Sequence, residues 1–193
     1  FNVTYAERLI PAAEISEQIS LASRESSGTG NMKLMLNGAL TLGTRDGANV
    51  EIGELTGEEN VYFFGISSEE AIGHFQRNDY DPDAVYRSSA PVREAVDFIA
   101  GDQMMALGHR ESLMRLYEEL RYRDRYMTLL DFASYAEVKD RMLRDYEDRS
   151  SWNRKVLSNI ACAGFFSADR AVTEYNRDIW KLKSFQTYSE EGK

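Results

Sequence analysis

Cysteine is almost missing: Cys162 stands alone in 193 residues. No internal disulfide can form, so nothing asks for an oxidising compartment and a cytoplasmic location is the expectation. Histidine is limited to His74 and His109, far apart in polar surroundings. Neither has a cysteine, histidine or carboxylate at a zinc spacing, so no metal site is expected. No G-x-S-x-G motif occurs, and Cys162 sits in Ile160-Ala161-Cys162-Ala163, the setting of a core residue and not of a nucleophile. No apolar run approaches the roughly 18 residues of a membrane-spanning helix, and no signal-peptide pattern opens the chain. Basic residues are in deficit, 23 against 32 acidic ones, for a net charge of −9. Nucleic acids and anionic membranes are polyanions, so neither is an expected partner. An initiator methionine is lacking too. The chain enters at full apolar density with Phe1-Asn2-Val3-Thr4, which reads as a segment cut from something longer.

What is present is the balance of a globular protein, 42% hydrophobic and 28% charged residues. Its length suits one good core or two small lobes. Two halves differ in texture. Residues 1–65 hold eight of the 13 glycines, and short apolar stretches alternate with turn signals at Pro11, Ser26 to Gly30, Asn37-Gly38, Asp46-Gly47 and Gly57. Ala39 to Leu42 and Val61 to Phe64 read as buried strands. Helices fit at Val3 to Ile10, Asn31 to Leu36 and Asn49 to Leu55. Strands alternating with helices imply an α/β fold with a mainly parallel sheet.

Residues 66–183 read as helical. Val92, Val96 and Ile99 repeat at helical spacing, as do Leu113, Leu116 and Leu120, then Tyr135, Val138 and Met142, then Val156 and Ile160, then Val172, Tyr175 and Ile179. Asp131, Ser150 and Ser167 are the expected helix N-caps, the last opening a helix that ends near Trp180. Residues 184–193 are polar and expected to be disordered. Tyr117, Tyr122, Tyr126 and Phe132 recur at helical intervals as core or interface residues. Arg121, Arg123 and Arg125 read as a solvated or interdomain face.

The stretch Ser26-Ser27-Gly28-Thr29-Gly30-Asn31-Met32-Lys33 is the most informative. Glycines running into a helix can expose several backbone N–H groups at the positive end of the helix dipole, which suits a phosphate. A simple turn is the alternative. The dinucleotide fingerprint is excluded, because Lys33 occupies its third glycine position, and a P-loop would need Gly-Lys adjacent. Lys33 stands among Met32, Leu34, Met35 and Leu36. One reading has it snorkel to water. The other has burial lower its pKa, leaving a neutral amine able to attack an aldehyde. A lysine one turn inside a phosphate-binding terminus is a spacing that permits a pyridoxal phosphate Schiff base, without demonstrating one. Glu25 and Ser27 form a polar pair suited to sugar hydroxyls or to a loop end. Asp46-Gly47-Ala48-Asn49-Val50-Glu51 offers a metal or sugar site, or a structural turn into a helix.

Taken together, Ser16-Glu17-Gln18-Ile19-Ser20, Ser27-Gly28-Thr29-Gly30-Asn31-Met32-Lys33, Leu36-Asn37-Gly38-Ala39-Leu40-Thr41 and Asp46-Gly47-Ala48-Asn49-Val50-Glu51 closely resemble the C-terminal domain of the α-glucan (glycogen, starch and maltodextrin) phosphorylases. The likeness runs on through Gly57-Glu58-Glu59-Asn60 and Phe63-Phe64-Gly65 to Trp152-Asn153, Asn159-Ile160-Ala161 and Asp178-Ile179-Trp180. It implies a GT-B architecture of two Rossmann-like domains, this chain being the end of the second. Residues 1–65 would then form its cofactor-anchoring α/β segment. It further implies pyridoxal 5'-phosphate covalently bound to Lys33, with Gly28 and Thr29 donating to phosphates and Glu25, Ser27 and Gly28 holding glucose hydroxyls. The implied reaction is phosphorolysis: inorganic phosphate, exchanging a proton with the cofactor's phosphate, releases glucose 1-phosphate from an α-1,4-glucan.

The parent is expected to be a homodimer. Phe1 departs from the tyrosine common in the family. The family's other basic residues and its histidine lie upstream, as do the phosphorylation and nucleotide-control sites of its allosteric animal members. The isolated chain is therefore expected to be inactive and to self-associate through exposed apolar surface. A nucleotide-sugar glycosyltransferase segment and a non-catalytic helical interaction domain are the competing readings; the former needs no amine at position 33.

Overall fold

The computed structural model describes residues 2–24 and 28–183. Helix α1 (Val3–Leu9) is capped by Asn2, whose side-chain oxygen accepts from Tyr5 N at 3.1 Å. Pro11 follows in a single 3-10 turn, Ile10–Ala12. Three strands come next, β1 (Ile15–Gln18), β2 (Leu40–Thr44) and β3 (Tyr62–Phe64), all parallel and in the order β1-β2-β3. Parallel neighbours need crossovers, and α2 (Thr29–Leu36) and α3 (Ala48–Thr56) supply them. Both expected strands lie within two residues of their expected bounds, and the sheet is parallel as expected. β1 carries no strand-like run of its own; it pairs because Ile15 to Gln18 stand opposite Leu40 to Gly43.

All five residues of β2 are buried, because helices cover both faces of the sheet. Leu40 and Leu42 join Tyr62 and Phe64 on one face, packed against Val138 and Met142 of α9 (Thr128–Glu147) and Trp152 of α10 (Arg149–Cys162). The opposite core holds Met35 of α2, Ile52 of α3, Val61 and Ala163, with Cys162 and Phe166 against them. Helix α10 therefore starts in one core and ends in the other. Cys162 behaves as a core residue, its thiol donating to the Leu55 carbonyl at 3.4 Å.

From Ser68 on, every element among the described residues is helical: α4 (Ser68–Arg77), α5 (Pro82–Ser88), α6 (Ala90–Ile99), α7 (Asp102–Leu107), α8 (Arg110–Tyr122), α9, α10 and α11 (Ala168–Tyr175), which continues as a π-turn through Asn176–Trp180. Tyr86, Val92, Val96 and Leu129 form a satellite core with Tyr117 and Phe132 against it, whereas Tyr122 and Tyr126 are exposed. Arg121 is engaged, donating to Asp83 and Tyr117 and stacking over Tyr86, while Arg123 and Arg125 pair with Glu119 at the surface.

Ser167 caps α11 as expected, accepting from Arg170 N at 3.1 Å. The other two expected caps are corrected. Asp131 lies inside α9, whose first turn is held by Asp124 accepting from Thr128 N and Leu129 N. Ser150 lies inside α10, capped by Asp148. In both helices an aspartate upstream of the expected cap reaches the first-turn amides, so the helix starts earlier. Among the described residues no helix is long and apolar enough to cross a membrane. Phe1 and the tail at 184–193 lie outside the described residues.

Candidate functional site

The carboxyl ends of the three strands point the same way, and the loops that leave them converge, as they do at binding sites of parallel α/β sheets. An open cleft of about 700 Å³ lies there, lined by Gln18, Ser20 and Asn49 and by Phe64, Asp131 and Tyr135. The glycine stretch leaves from the same edge. Gly28 stands at the N-cap of α2, so the cap position carries no side-chain acceptor. Thr29 and Gly30 in the first turn are exposed, and a Cβ built on Gly30 would meet nothing within 4 Å. Glu25 and Ser27, the candidate sugar-binding pair, lie outside the described residues.

Lys33 is exposed, as in the first of the two readings its apolar neighbours left open. The reason is helical phase. Asn31 and Met35, four residues apart, are the fully buried stripe of α2. At about 100° per residue, Lys33 lies nearly opposite them. It shares its outward face with Thr29, one turn back, and with Leu36, also exposed. The amine and the N-terminal turn thus occupy one face of one helix, open to whatever covers it. Lys33 does not line the 700 Å³ cleft.

Below that face is a buried polar network. Asp46 accepts from Ser20 Oγ at 3.0 Å, from Ser23 N at 2.8 Å and from Arg24 N at 3.1 Å. Asn49 accepts from Asn31 Nδ2 at 2.7 Å and donates to the carbonyls of Thr44 at 3.0 Å and Gln18 at 3.4 Å. A Cβ on Gly43 would stand 2.5 Å from Asn49 Nδ2 and 2.9 Å from the Gln18 carbonyl, so only glycine leaves room for that amide. Gly47, with φ 46° and ψ −131°, bends the chain between the two residues in a region closed to most side chains. Asp46 is therefore committed to backbone and hydroxyl donors. The sequence had marked this turn, but the role of Asn31 and Asn49 in tying α2 to the strand ends rests on contacts 18 and 31 residues apart.

At the far wall, Asp131 accepts from Ile66 N at 2.8 Å, and burial pushes its carboxyl above the usual range. Gly65, at φ 83°, brings the end of β3 onto that carboxylate. His74 pairs with Asp79 at 2.6 Å, and His109 caps α8; among the described residues no cluster of three metal-ligating side chains occurs.

The sequence profile of the carbohydrate phosphorylases matches residues 1–182. The chain is 57% identical to a maltodextrin phosphorylase of Streptococcus pneumoniae over 94% of its own length and 24% of that protein's. It is 40% identical to a glycogen phosphorylase of Bacillus subtilis, over 95% of this chain and 23% of the relative. With the brain form of glycogen phosphorylase from Mus musculus it shares 42% identity, over 95% of this chain and 22% of the relative. The chain thus spans about a quarter of the length of the curated relatives it matches. By profile and by identity, it belongs to the carbohydrate phosphorylase family.

Proposed function

We propose that this chain is the cofactor-anchoring portion of an α-1,4-glucan phosphorylase of GT-B type, one that releases glucose 1-phosphate from a glucan with inorganic phosphate. The observation that carries the reading is the shared outward face of α2, where the Lys33 amine stands one turn from the glycine-capped N-terminus. Pyridoxal 5'-phosphate fits such a face. Lys33 would hold it covalently, and Gly28 and Thr29 would meet phosphate at the positive end of the helix dipole. When bound, the group supplies a phosphate that trades a proton with the attacking inorganic phosphate.

The chain's own residues do the rest. Asn31 and Met35 fix the rotation of α2, so that Lys33 points outward instead of into the core. Gly30 leaves open space over the first turn, where a side chain would crowd a phosphate. Glu25, Ser27 and Gly28 would accept and donate to glucose hydroxyls from the segment entering the helix. An amine must be uncharged to attack an aldehyde, and apolar cover is what favours that form. α2 does not bury Lys33, so the cover is assigned to the larger part of the parent protein. The homodimeric parent completes the binding of glucan and phosphate with residues outside this chain, and the isolated chain is inactive.

The test is chemical. Full-length protein carrying this segment is incubated with pyridoxal phosphate, reduced with borohydride and digested. The pyridoxyl label is expected on the peptide containing Lys33 and is lost in Lys33→Ala. A label confined to other lysines overturns the reading. Full phosphorolytic activity of the 193-residue chain alone would overturn the division of labour.

A further inference from the structure

We infer that the cleft at the strand ends is a saccharide subsite in which the ring of Tyr126 carries one pyranose unit; that the saccharide is the glucan rests on the reading above. Helical spacing groups Tyr126 with core and interface residues, but the structure places it in the loop between α8 and α9, 64% exposed and lining the cleft. That loop is held to a fixed shape. Asp124 and Met127, on either side of Arg125 and Tyr126, have φ of 30° and 50°, the left-handed region that most side chains avoid. Such strain persists only where the surroundings over-determine it, and it gathers at binding sites. Both holds are visible. The buried Asp124 carboxylate accepts from Tyr80 Oη at 2.5 Å, Thr128 N at 2.9 Å and Leu129 N at 2.8 Å. Met127 is buried in a core with Leu21, Ala22 and Ala71. Between these two anchors an aromatic ring stands in water, a placement that apolar burial does not explain.

The chemistry of the cleft selects its occupant. The volume, about 700 Å³, lies in the range of small-molecule sites, roughly 300–1,000 Å³. Phe64 and Tyr135 give it an aromatic wall, packed edge to face with centroids 5.2 Å apart. Tyr135 is locked in place, its hydroxyl donating to Glu17 at 3.1 Å and accepting from Lys139 Nζ at 2.7 Å. Beside the rings stand the neutral side chains of Gln18 and Thr128 and one buried carboxylate, Asp131. Ile66 N bonds Asp131 Oδ1, and among the described residues no donor is placed on Oδ2. Arg24 is the one cation among the described lining residues; it stacks over Phe75 at 5.1 Å, and Asp131 offsets its charge. A phosphorylated ligand calls for an excess of basic groups, which this lining lacks. A pyranose ring matches it: C–H groups on its faces lie on aromatic rings, and hydroxyls at its edge donate to a carboxylate and pair with an amide. Lys33 does not line this cleft, so the subsite is separate from the cofactor face.

The experiment uses the full-length protein carrying this segment, as wild type, Tyr126→Ala and Tyr126→Phe. A linear α-1,4-linked glucose oligomer is the probe, and inorganic phosphate is the control. Affinity is read by calorimetry, and the solvent exposure of Tyr126 by hydroxyl-radical labelling with mass spectrometry. The oligomer is expected to protect Tyr126 from labelling, and phosphate is not. Tyr126→Ala should weaken oligomer binding about fivefold, the scale of one lost ring stack, and Tyr126→Phe by no more than about twofold. KM for inorganic phosphate should stay level in both variants, which general damage to the fold would not allow. Equal labelling of Tyr126 with and without oligomer overturns the proposal, as does protection by phosphate alone or unchanged affinity in Tyr126→Ala. So does a Tyr126 that resists labelling in the free wild-type protein, since the parent's own chain then fills the cleft. Failure of the underlying reading looks different: no pyridoxyl label reaches the Lys33 peptide, while the oligomer still protects Tyr126.

Discussion

The first 65 residues and the helices after Ser67 are held by different forces. Among the described residues ten polar or charged ones are buried, and seven of these (Ser16, Asn31, Thr41, Thr44, Asp46, Asn49 and Thr56) belong to the first region. That concentration places directional bonds around the strand ends and the start of α2, where the candidate site lies. The helical region relies on apolar burial, as in the Tyr86–Leu129 core, and on exposed pairs such as Arg123–Glu119. Exposed pairs contribute little to stability. Apolar contact tolerates small shifts, whereas a hydrogen bond lost in the interior costs about 1–3 kcal/mol for each group left without a partner. The difference suggests that the first region is built for placement and the second for cohesion.

The largest expected effect tests cohesion. Trp152 is 1% exposed and packs on Tyr62 and Tyr146, so Trp152→Ala is expected to cost about 3–5 kcal/mol in chemical denaturation. A loss near 1 kcal/mol would mean that the sheet face does not depend on this side chain. Placement is probed next. Gly43→Ala pushes a methyl against Asn49 and Gln18, and should cost about 1–3 kcal/mol. The same change at Gly30 meets open space and should stay within about 0.5 kcal/mol. Equal effects at the two glycines would erase the contrast. Ser167→Ala removes the cap of α11 and is expected to cost about 1 kcal/mol, read from the thermal midpoint.

One further effect depends on pH. Burial raises the Asp131 pKa above its ordinary 3.8, so the folded protein holds that proton more readily than the unfolded chain. Stability from this group is then greatest below that value and falls as pH rises through the raised one. Asn can still accept from Ile66 N. Asp131→Asn should therefore match the parent at pH 3 and become the more stable of the two by pH 7, read by chemical denaturation at both pH values. A difference that narrows with rising pH would reverse the assignment.

Much of this was legible in the residues themselves. Val-Tyr-Phe-Phe and Ala-Leu-Thr-Leu between turn signals gave β3 and β2, and the spacing of Val138, Met142 and Val156 gave α9 and α10. β1 was not legible, since Ile15-Ser16-Glu17-Gln18 has a single apolar side chain and becomes a strand through its neighbour's backbone. The first-turn acceptor Asp124 and the cap Asp148 were hidden because Asp131 and Ser150 fit the local pattern equally well. At the candidate site the glycines, Lys33 and the Asp46 turn stood out, but not the direction of Lys33. Four apolar neighbours left both burial and a water-facing amine open. The decisive residue was Asn31, a polar side chain that takes the inward stripe because Asn49 waits for it across the core.

One feature reaches beyond the site. Because α10 begins beside Tyr62 and ends beside Met35 and Ile52, the layers on either side of the strands share a single bolt. Neither layer can loosen alone without drawing that helix out of the other, so melting is expected to be all-or-none across both. A chain ending before Arg149 would lose the two layers together, and the loop that Asp46 steadies would go with them.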